Sequence, residues 1–205
     1  MLTKIENKNK TNQSQIESLR FIENFYFEQI VNLLFKSLMN LIIDIRVTNK
    51  ILNIKTTPNN LKAVLNFFQN HSLFLLKQLQ EIACVDRPEK ELRFSVTYTL
   101  YSVKYNTNVL ITVQVPIQSN LYSVTQIYEG ADWLEREVFD LFGIFFIDHK
   151  NLRRILTDYG FQGYPLRKDF PLTGFVELYY NDSNKRLVYE PVELAQKSRI
   201  WTFKS

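Results

Sequence analysis

Residues 131–143 read ADWLEREVFDLFG and bring the carboxylates of Glu135, Glu137 and Asp140 close together in the chain. Paired carboxylates can serve as a general acid and base, or can hold a divalent ion with a histidine such as His149. A helix turns about 100° per residue, which makes Glu137 and Asp140 neighbours and sets Glu135 about 140° beyond Asp140. Arg136 precedes Asp140 by four residues, a spacing that allows an ion pair. More cations follow at Arg153, Arg154, Arg167 and Lys168, with Asp169 beside the last. The economical reading is a partly buried ionic network that fixes geometry more than it adds stability. A metal-dependent hydrolase using Glu137, Asp140 and His149 is the alternative.

These side chains need a helix and loops to position them. Asp132 with Glu135 three residues on fits a capping box, and Gly143 fits a helix-ending glycine, so a helix is expected over about 133–142. Its apolar face would be Leu134, Val138, Leu141 and Phe142. Upstream, residues 14–40 repeat apolar positions at spacings of three and four and predict a helix. Residues 41–47 and 51–57 read as a β-hairpin, and Pro58 opens a second helix carrying Leu61, Val64, Leu65 and Phe68. Residues 79–86 read as extended and contain Cys84. Residues 91–103 and 108–115 alternate with period two, with Leu92, Phe94, Val96, Tyr98 and Leu100 on one face of the first. The fold class is α+β: a mixed sheet backed by helices, followed by a charge-rich, mostly irregular C-terminal segment. The expected divisions are a flexible tail over 1–13, an α+β domain over 14–128 and a motif-bearing segment over 129–205.

Composition narrows the chemistry. The 205 residues include one cysteine, two histidines and five glycines. An iron–sulfur cluster takes four thiolates, so this chain alone cannot supply the ligands. The glycines match neither the GxGxxG nor the GxxxxGK[ST] pattern of nucleotide-binding loops. The longest run without a polar residue, Leu141 to Ile147, is seven residues, against the roughly 20 a spanning helix needs. The net charge of +4 divides into +5 before residue 129 and −1 from there on. The first part is thinly basic, a pattern usual for a solvated surface; a nucleic-acid or anionic-membrane module is a minor alternative.

The strings in the last third carry a resemblance. Glu135-Arg136-Glu137-x-x-Asp140-Leu141-Phe142-Gly143-Ile144, then His149, then Leu152 to Phe161 (LRRILTDYGF), resemble the first signature of one family. Gly163 to Gly174 (GYPLRKDFPLTG) resembles its second, and Tyr189-Glu190-Pro191-Val192 its third. The family is the 30-kDa-type subunit of respiratory complex I, NADH:ubiquinone oxidoreductase. The match is continuous over about residues 129–199. Asp148 and Lys150 stand where the family has Gly and Pro around its histidine, and Tyr164 stands where it has a His.

The resemblance implies a core subunit of the hydrophilic arm, with no cofactor of its own. Flavin mononucleotide and the iron–sulfur clusters would sit in partner subunits. It implies packing against the 49-kDa-type subunit of the quinone site, with no nucleic acid and no membrane span. Glu135, Arg136, Glu137, Asp140, Arg153, Arg154, Arg167, Lys168 and Asp169 are the expected interface and ion-network residues; no catalytic, cofactor or metal residue is expected. The richness in Asn, Lys, Ile and Phe, with no transit-like N-terminus, favours an organelle-encoded protein on the matrix side of the mitochondrial inner membrane. A bacterial cytoplasmic-face protein is the alternative, as is the homologous subunit of a plastid NDH complex or a membrane-bound hydrogenase.

Overall fold

The computed structural model describes residues 33–194, apart from 35, 39, 49, 50 and 118, together with Gln196. The tail expected over 1–13 and most of the helix expected over 14–40 lie outside these residues. Within them, Leu33, Leu34 and residues 36–38 are helical, and Leu34 and Leu38 are buried.

Five strands build one mixed sheet: β1 (Ile42–Thr48), β2 (Ile51–Thr56), β3 (Gln78–Asp86), β4 (Phe94–Ser102) and β5 (Thr107–Val115). Their order across the sheet is β1-β2-β5-β4-β3, with β2 and β5 parallel and the other pairs antiparallel. Period-two alternation decides which side is inside. Leu52, Ile54 and Thr56 stand beside Val109, Ile111 and Val113, and these beside Leu100, Tyr98 and Val96. Ile82, Cys84 and Asp86 of β3 complete the row opposite Tyr98, Val96 and Phe94. The opposite face is half-buried and polar, as in the Thr97–Thr112 pair, whose hydroxyls lie 3.1 Å apart.

Among the described residues, two further helices cover the apolar face beside Leu34 and Leu38. Helix α1 (Leu61–Asn70) follows a 3-10 turn over Pro58–Asn60 and buries Leu61, Val64, Leu65 and Phe68. Each such side chain withdrawn from water contributes about 1.5–3 kcal/mol before entropy is counted. Helix α2 (Ala131–Phe142) packs on β3, and Ala131, Val138 and Phe142 join the same core as the sheet. Beside it lie β6 (Asn120–Tyr122) and β7 (Phe145–Ile147), a short parallel pair.

Several expectations shift. Strand β4 starts at Phe94, so Leu92 falls outside it and is 45% exposed instead of facing inward. The reason is Arg93, which turns out of the strand to reach Asp86. Helix α2 begins at Ala131 after Gly130, with no side-chain cap. Asp132 is therefore inside the first turn, and Glu135 does not close a capping box. Its buried face is not the purely apolar one expected, because Glu135, Arg136 and Asp140 are buried with Val138 and Phe142 while Leu134 and Leu141 are only half-buried. The C-terminal segment also holds a regular element, the antiparallel hairpin of β8 (Val176–Asn181) and β9 (Arg186–Pro191). No helix among the described residues is long and apolar enough to cross a membrane.

Candidate functional site

Asp140 sits in the last turn of α2 with its side chain fully enclosed. Its Oδ2 accepts the backbone N–H groups of Ile155, Leu156 and Thr157 at 3.0, 2.7 and 2.9 Å. Its Oδ1 accepts the Thr157 hydroxyl at 2.6 Å and Arg154 Nη1 at 3.3 Å. Burial pushes this carboxyl upward. The Thr157 hydroxyl and the three N–H groups together outweigh that and hold it below the ordinary carboxylate range. A buried carboxylate with this many donors is a fixed anion around which the 154–157 loop is wound.

Arg154 extends the same construction. Both its terminal nitrogens donate to the Gly163 carbonyl at 3.0 Å, and its guanidinium lies 5.0 Å from the Tyr164 ring centre. The planar fork suits a carbonyl and an aromatic face at once. The Arg167 guanidinium lies over the same ring at 4.3 Å, and its Nε donates to the Phe142 carbonyl at 2.6 Å. Gly143 makes this approach possible: it has φ +74°, and a Cβ there would fall 2.5 Å from Tyr164 Cζ and 2.6 Å from Arg167 Nη2.

A second buried carboxylate works from the sheet. Asp86, at the end of β3, receives Arg93 through Nε at 2.6 Å and Nη2 at 2.7 Å, and the Lys168 backbone N–H at 2.8 Å. The Arg93 fork lowers the Asp86 carboxyl against its burial, with the Lys168 N–H adding to it. Arg93 also reaches Asp169 at 3.0 Å, so the loop is tied to the sheet twice.

The expected residues thus divide. Asp140, Arg154, Arg167 and Asp169 hold the 153–170 loop onto α2 and the sheet. Lys168 takes part through its backbone N–H, while its side chain is exposed. Arg136 does not pair with Asp140, whose oxygens are taken by the loop; it turns back to Asp132 at 3.9 Å and stacks 4.4 Å over Trp133. Glu137 and Arg153 are exposed. Glu135 is fully buried against Val124 and His149, away from Asp140. The hydrolase triad does not assemble: Glu137 faces out, Asp140 faces the 154–157 loop, and His149 faces Asp132 and Glu135. Sequence reasoning missed Asp86, Arg93 and Thr157. Arg93, a lone cation opening an alternating strand, was the available signal.

Held this way, the loop turns apolar surface outward. Tyr159 is 98% exposed and Leu172 96%, with Phe175 and Leu156 also open. Between the loop and the hairpin runs a cleft of about 720 Å³ lined by Phe161, Phe170, Leu172, Phe175 and Tyr189 among others. Tyr189 donates its hydroxyl to Asp158 at 2.7 Å and so joins β9 to the loop. The arrangement has the features of a docking face: rigid backing, exposed aromatics and polar closure at its rim.

Residues 54–176 match the family model described as the respiratory-chain NADH dehydrogenase, 30 Kd subunit. The chain is 46% identical over 154 residues to NADH-ubiquinone oxidoreductase subunit 9 of Reclinomonas americana, covering 75% of this chain and 76% of that protein. It is 49% identical over 154 residues to an NADH-quinone oxidoreductase subunit of Rhizobium johnstonii, covering 75% and 77%. A solved chain from the membrane-bound sulfane sulfur reductase, an archaeal respiratory membrane complex, shares the fold with a TM-score of 0.63 at 24% identity, over 72% of this chain and 86% of that one. With a family model covering more than half its length and relatives near half-identical over three quarters of it, the chain belongs to the 30 kDa subunit family of the respiratory-chain NADH dehydrogenase.

Proposed function

We propose that this chain is a rigid support in the peripheral arm of a respiratory complex I, contributing to NADH-to-ubiquinone electron transfer coupled to proton translocation by positioning other subunits. It binds the 49-kDa-type quinone-site subunit through the face formed by residues 153–194. The observation that carries this reading is the direction of the charges. Asp140, Asp86, Arg154, Arg93 and Arg167 all act inward, so Tyr159, Leu156, Leu172 and Phe175 are left open to a partner among exposed charges such as Arg153 and Lys168. In a reaction that depends on position, a displacement of about 1 Å can cost about a hundredfold in rate. A support therefore matters to turnover without touching substrate.

Flavin and iron–sulfur clusters belong to partner subunits in this reading. The single thiol, Cys84, supports it: burial pushes its pKa to about 12, which keeps it protonated and a poor ligand. The site of action is the matrix face of the mitochondrial inner membrane, consistent with a relative named as mitochondrial in Candida maltosa, 43% identical over 151 residues. Relatives such as the Rhizobium johnstonii protein keep a bacterial membrane face as the second reading.

Arg154→Ala tests the proposal. It should lower the abundance of assembled complex on native gels, with activity per assembled complex preserved. Normal abundance with lost activity would instead assign this region a direct part at the quinone site.

A further inference from the structure

The two strands of the C-terminal hairpin differ at their outer edges. The Val192 N–H donates to the Phe175 carbonyl at 3.2 Å. Phe175 and Val192 therefore form a hydrogen-bonded pair, and such pairs alternate with non-bonded ones along an antiparallel ladder. The register then makes Glu177–Glu190, Tyr179–Val188 and Asn181–Arg186 the pairs that bond each other. Val176, Leu178 and Tyr180 turn their backbone N–H and C=O groups outward from β8, and Leu187, Tyr189 and Pro191 turn theirs outward from β9. Pro191 has no N–H to offer, so the β9 edge lacks a donor. The β8 edge lacks none, and among the described residues its outward groups bond nothing else.

The large sheet protects its edges and the hairpin does not. Both edge strands of the large sheet carry a register shift, at Ile42/Asp44 in β1 and at Leu79/Glu81 in β3, each with an acidic residue beside it. Shifts and charges keep an edge from pairing with a further strand. Strand β8 has no shift, no lysine and no proline, and is built of Val, Leu and Tyr around Glu177 and Asn181. Those apolar types favour strands. A two-stranded hairpin with both faces in water is marginal by itself.

The side chains describe what fits the edge. Val176–Pro191, Leu178–Tyr189 and Tyr180–Leu187 share one face, and all six residues are exposed. On the other face Glu177 stands directly opposite Glu190, with Tyr179 and Val188 beside them, so neither face is an inside within this chain. Like charges directly opposed destabilise a strand pair. Among the described residues the hairpin's ion pair is Lys185–Asp182, and neither glutamate is neutralised.

We propose that a partner subunit adds an extended segment to the outer edge of β8 as a third strand, with apolar residues at every second position and a lysine or arginine between them. Neighbouring strands share their faces in register, so residues opposite Val176, Leu178 and Tyr180 fall on the apolar face. The residue opposite Glu177 falls on the other face, where a cation meets that carboxylate directly and relieves its repulsion from Glu190. Backbone bonds along the edge supply affinity, and the alternating side chains fix the register. This inference rests on the docking role of the 153–194 face and adds that the hairpin is engaged by its edge.

The test is hydrogen exchange, read amide by amide on the purified full chain and on the complex purified in mild detergent. In the free chain the Glu177 and Tyr179 amides should be protected, and those of Val176, Leu178 and Tyr180 open. In the complex the latter should slow by about a hundredfold. Leu178→Pro and Leu187→Pro remove the same side chain from the same face, each where the N–H takes no part in the hairpin's own ladder. Leu178→Pro should lower assembled complex on native gels about tenfold, and Leu187→Pro less than about twofold. Protection of Glu177 and Tyr179 in both free variants checks that the hairpin still forms. Glu177→Gln should weaken assembly and make it less sensitive to salt. Suppose the Val176, Leu178 and Tyr180 amides stay open in the complex, or the two proline variants assemble equally, while Leu172→Asp still blocks assembly. Strand addition is then overturned and the docking role stands. Assembly indifferent to all three substitutions would overturn both. Protection already present in the dilute free chain would assign the edge to this chain's own residues 195–205, and protection that appears only on dimerisation would assign it to a second copy; either overturns the proposal.

Discussion

Thr157 gives Asp140 both its hydroxyl, at 2.6 Å, and its backbone N–H, at 2.9 Å, across seventeen positions of sequence. The two bonds make Asp140 the fixed point from which the 154–157 loop hangs.

Asp140→Asn replaces an acceptor of five donors with a group that presents an NH₂ to some of them. The full chain should lose about 3–5 kcal/mol in urea unfolding, the usual cost of breaking a buried charged cluster. Thr157→Val should lose about 1–3 kcal/mol. The double variant should lose less than the sum, because both act on one cluster. Additive losses would show that Asp140 and Thr157 do not act together.

Gly143→Ala should destabilise by about 1–3 kcal/mol, the usual cost of a side chain at positive φ. The added Cβ also displaces Tyr164 and Arg167. Limited proteolysis within residues 153–170 should therefore speed up more than global unfolding does.

Arg93→Lys keeps the charge and loses the fork. Asp86 is fully buried, so the loss should be about 1–3 kcal/mol and nearly independent of salt. Thermal unfolding at low and high ionic strength distinguishes this from a surface ion pair, whose contribution salt would screen.

The pH dependence has two opposite arms. Glu135 has a folded pKa raised from 4.5 to about 7. Its contribution is complete below the unfolded value and falls as pH rises through the folded one, a loss of about 3 kcal/mol. Asp86 and Asp140 are lowered, so their contribution is present above the unfolded value and falls as pH drops through the folded ones. Stability of the purified chain should therefore peak at about pH 4–5, between the two arms. Glu135→Gln should flatten the arm between pH 5 and 7 and leave the acid arm in place.

The sheet was legible because alternation leaves a direct trace: Phe94, Val96, Tyr98 and Leu100 stand at every second position and all face inward. The C-cap of α2 was legible for a similar reason, since Gly143 adopts the left-handed turn its type suggests. The start of that helix was not. An Asp-x-x-Glu spacing indicates a capping box only when the side chains are free, and Glu135 is drawn away to Val124. The charges of α2 were readable as a network but not in their pairings. Helical geometry places Arg136 beside Asp140, whereas the partners that won, Ile155 to Thr157 and Arg154, are brought there by a loop whose path no local spacing encodes. Asp86 was invisible for the same cause: its second partner, Lys168, is 82 positions away. The hairpin over 176–191 leaves no clear trace because both its faces are exposed and no alternation marks an inside.

Those long separations also set an order of events during folding. The Asp86–Lys168 and Arg93–Asp169 ties span 82 and 76 positions and need β3 and the start of β4 already in place. Contacts closing loops of that length form late, after the local elements have offset the entropy of closure. The aromatic face is therefore presented only by a chain whose sheet is finished. If a partner docks on that face, as proposed above, it would bind only copies whose sheet is complete, and incompletely folded ones would be passed over without a separate inspection step.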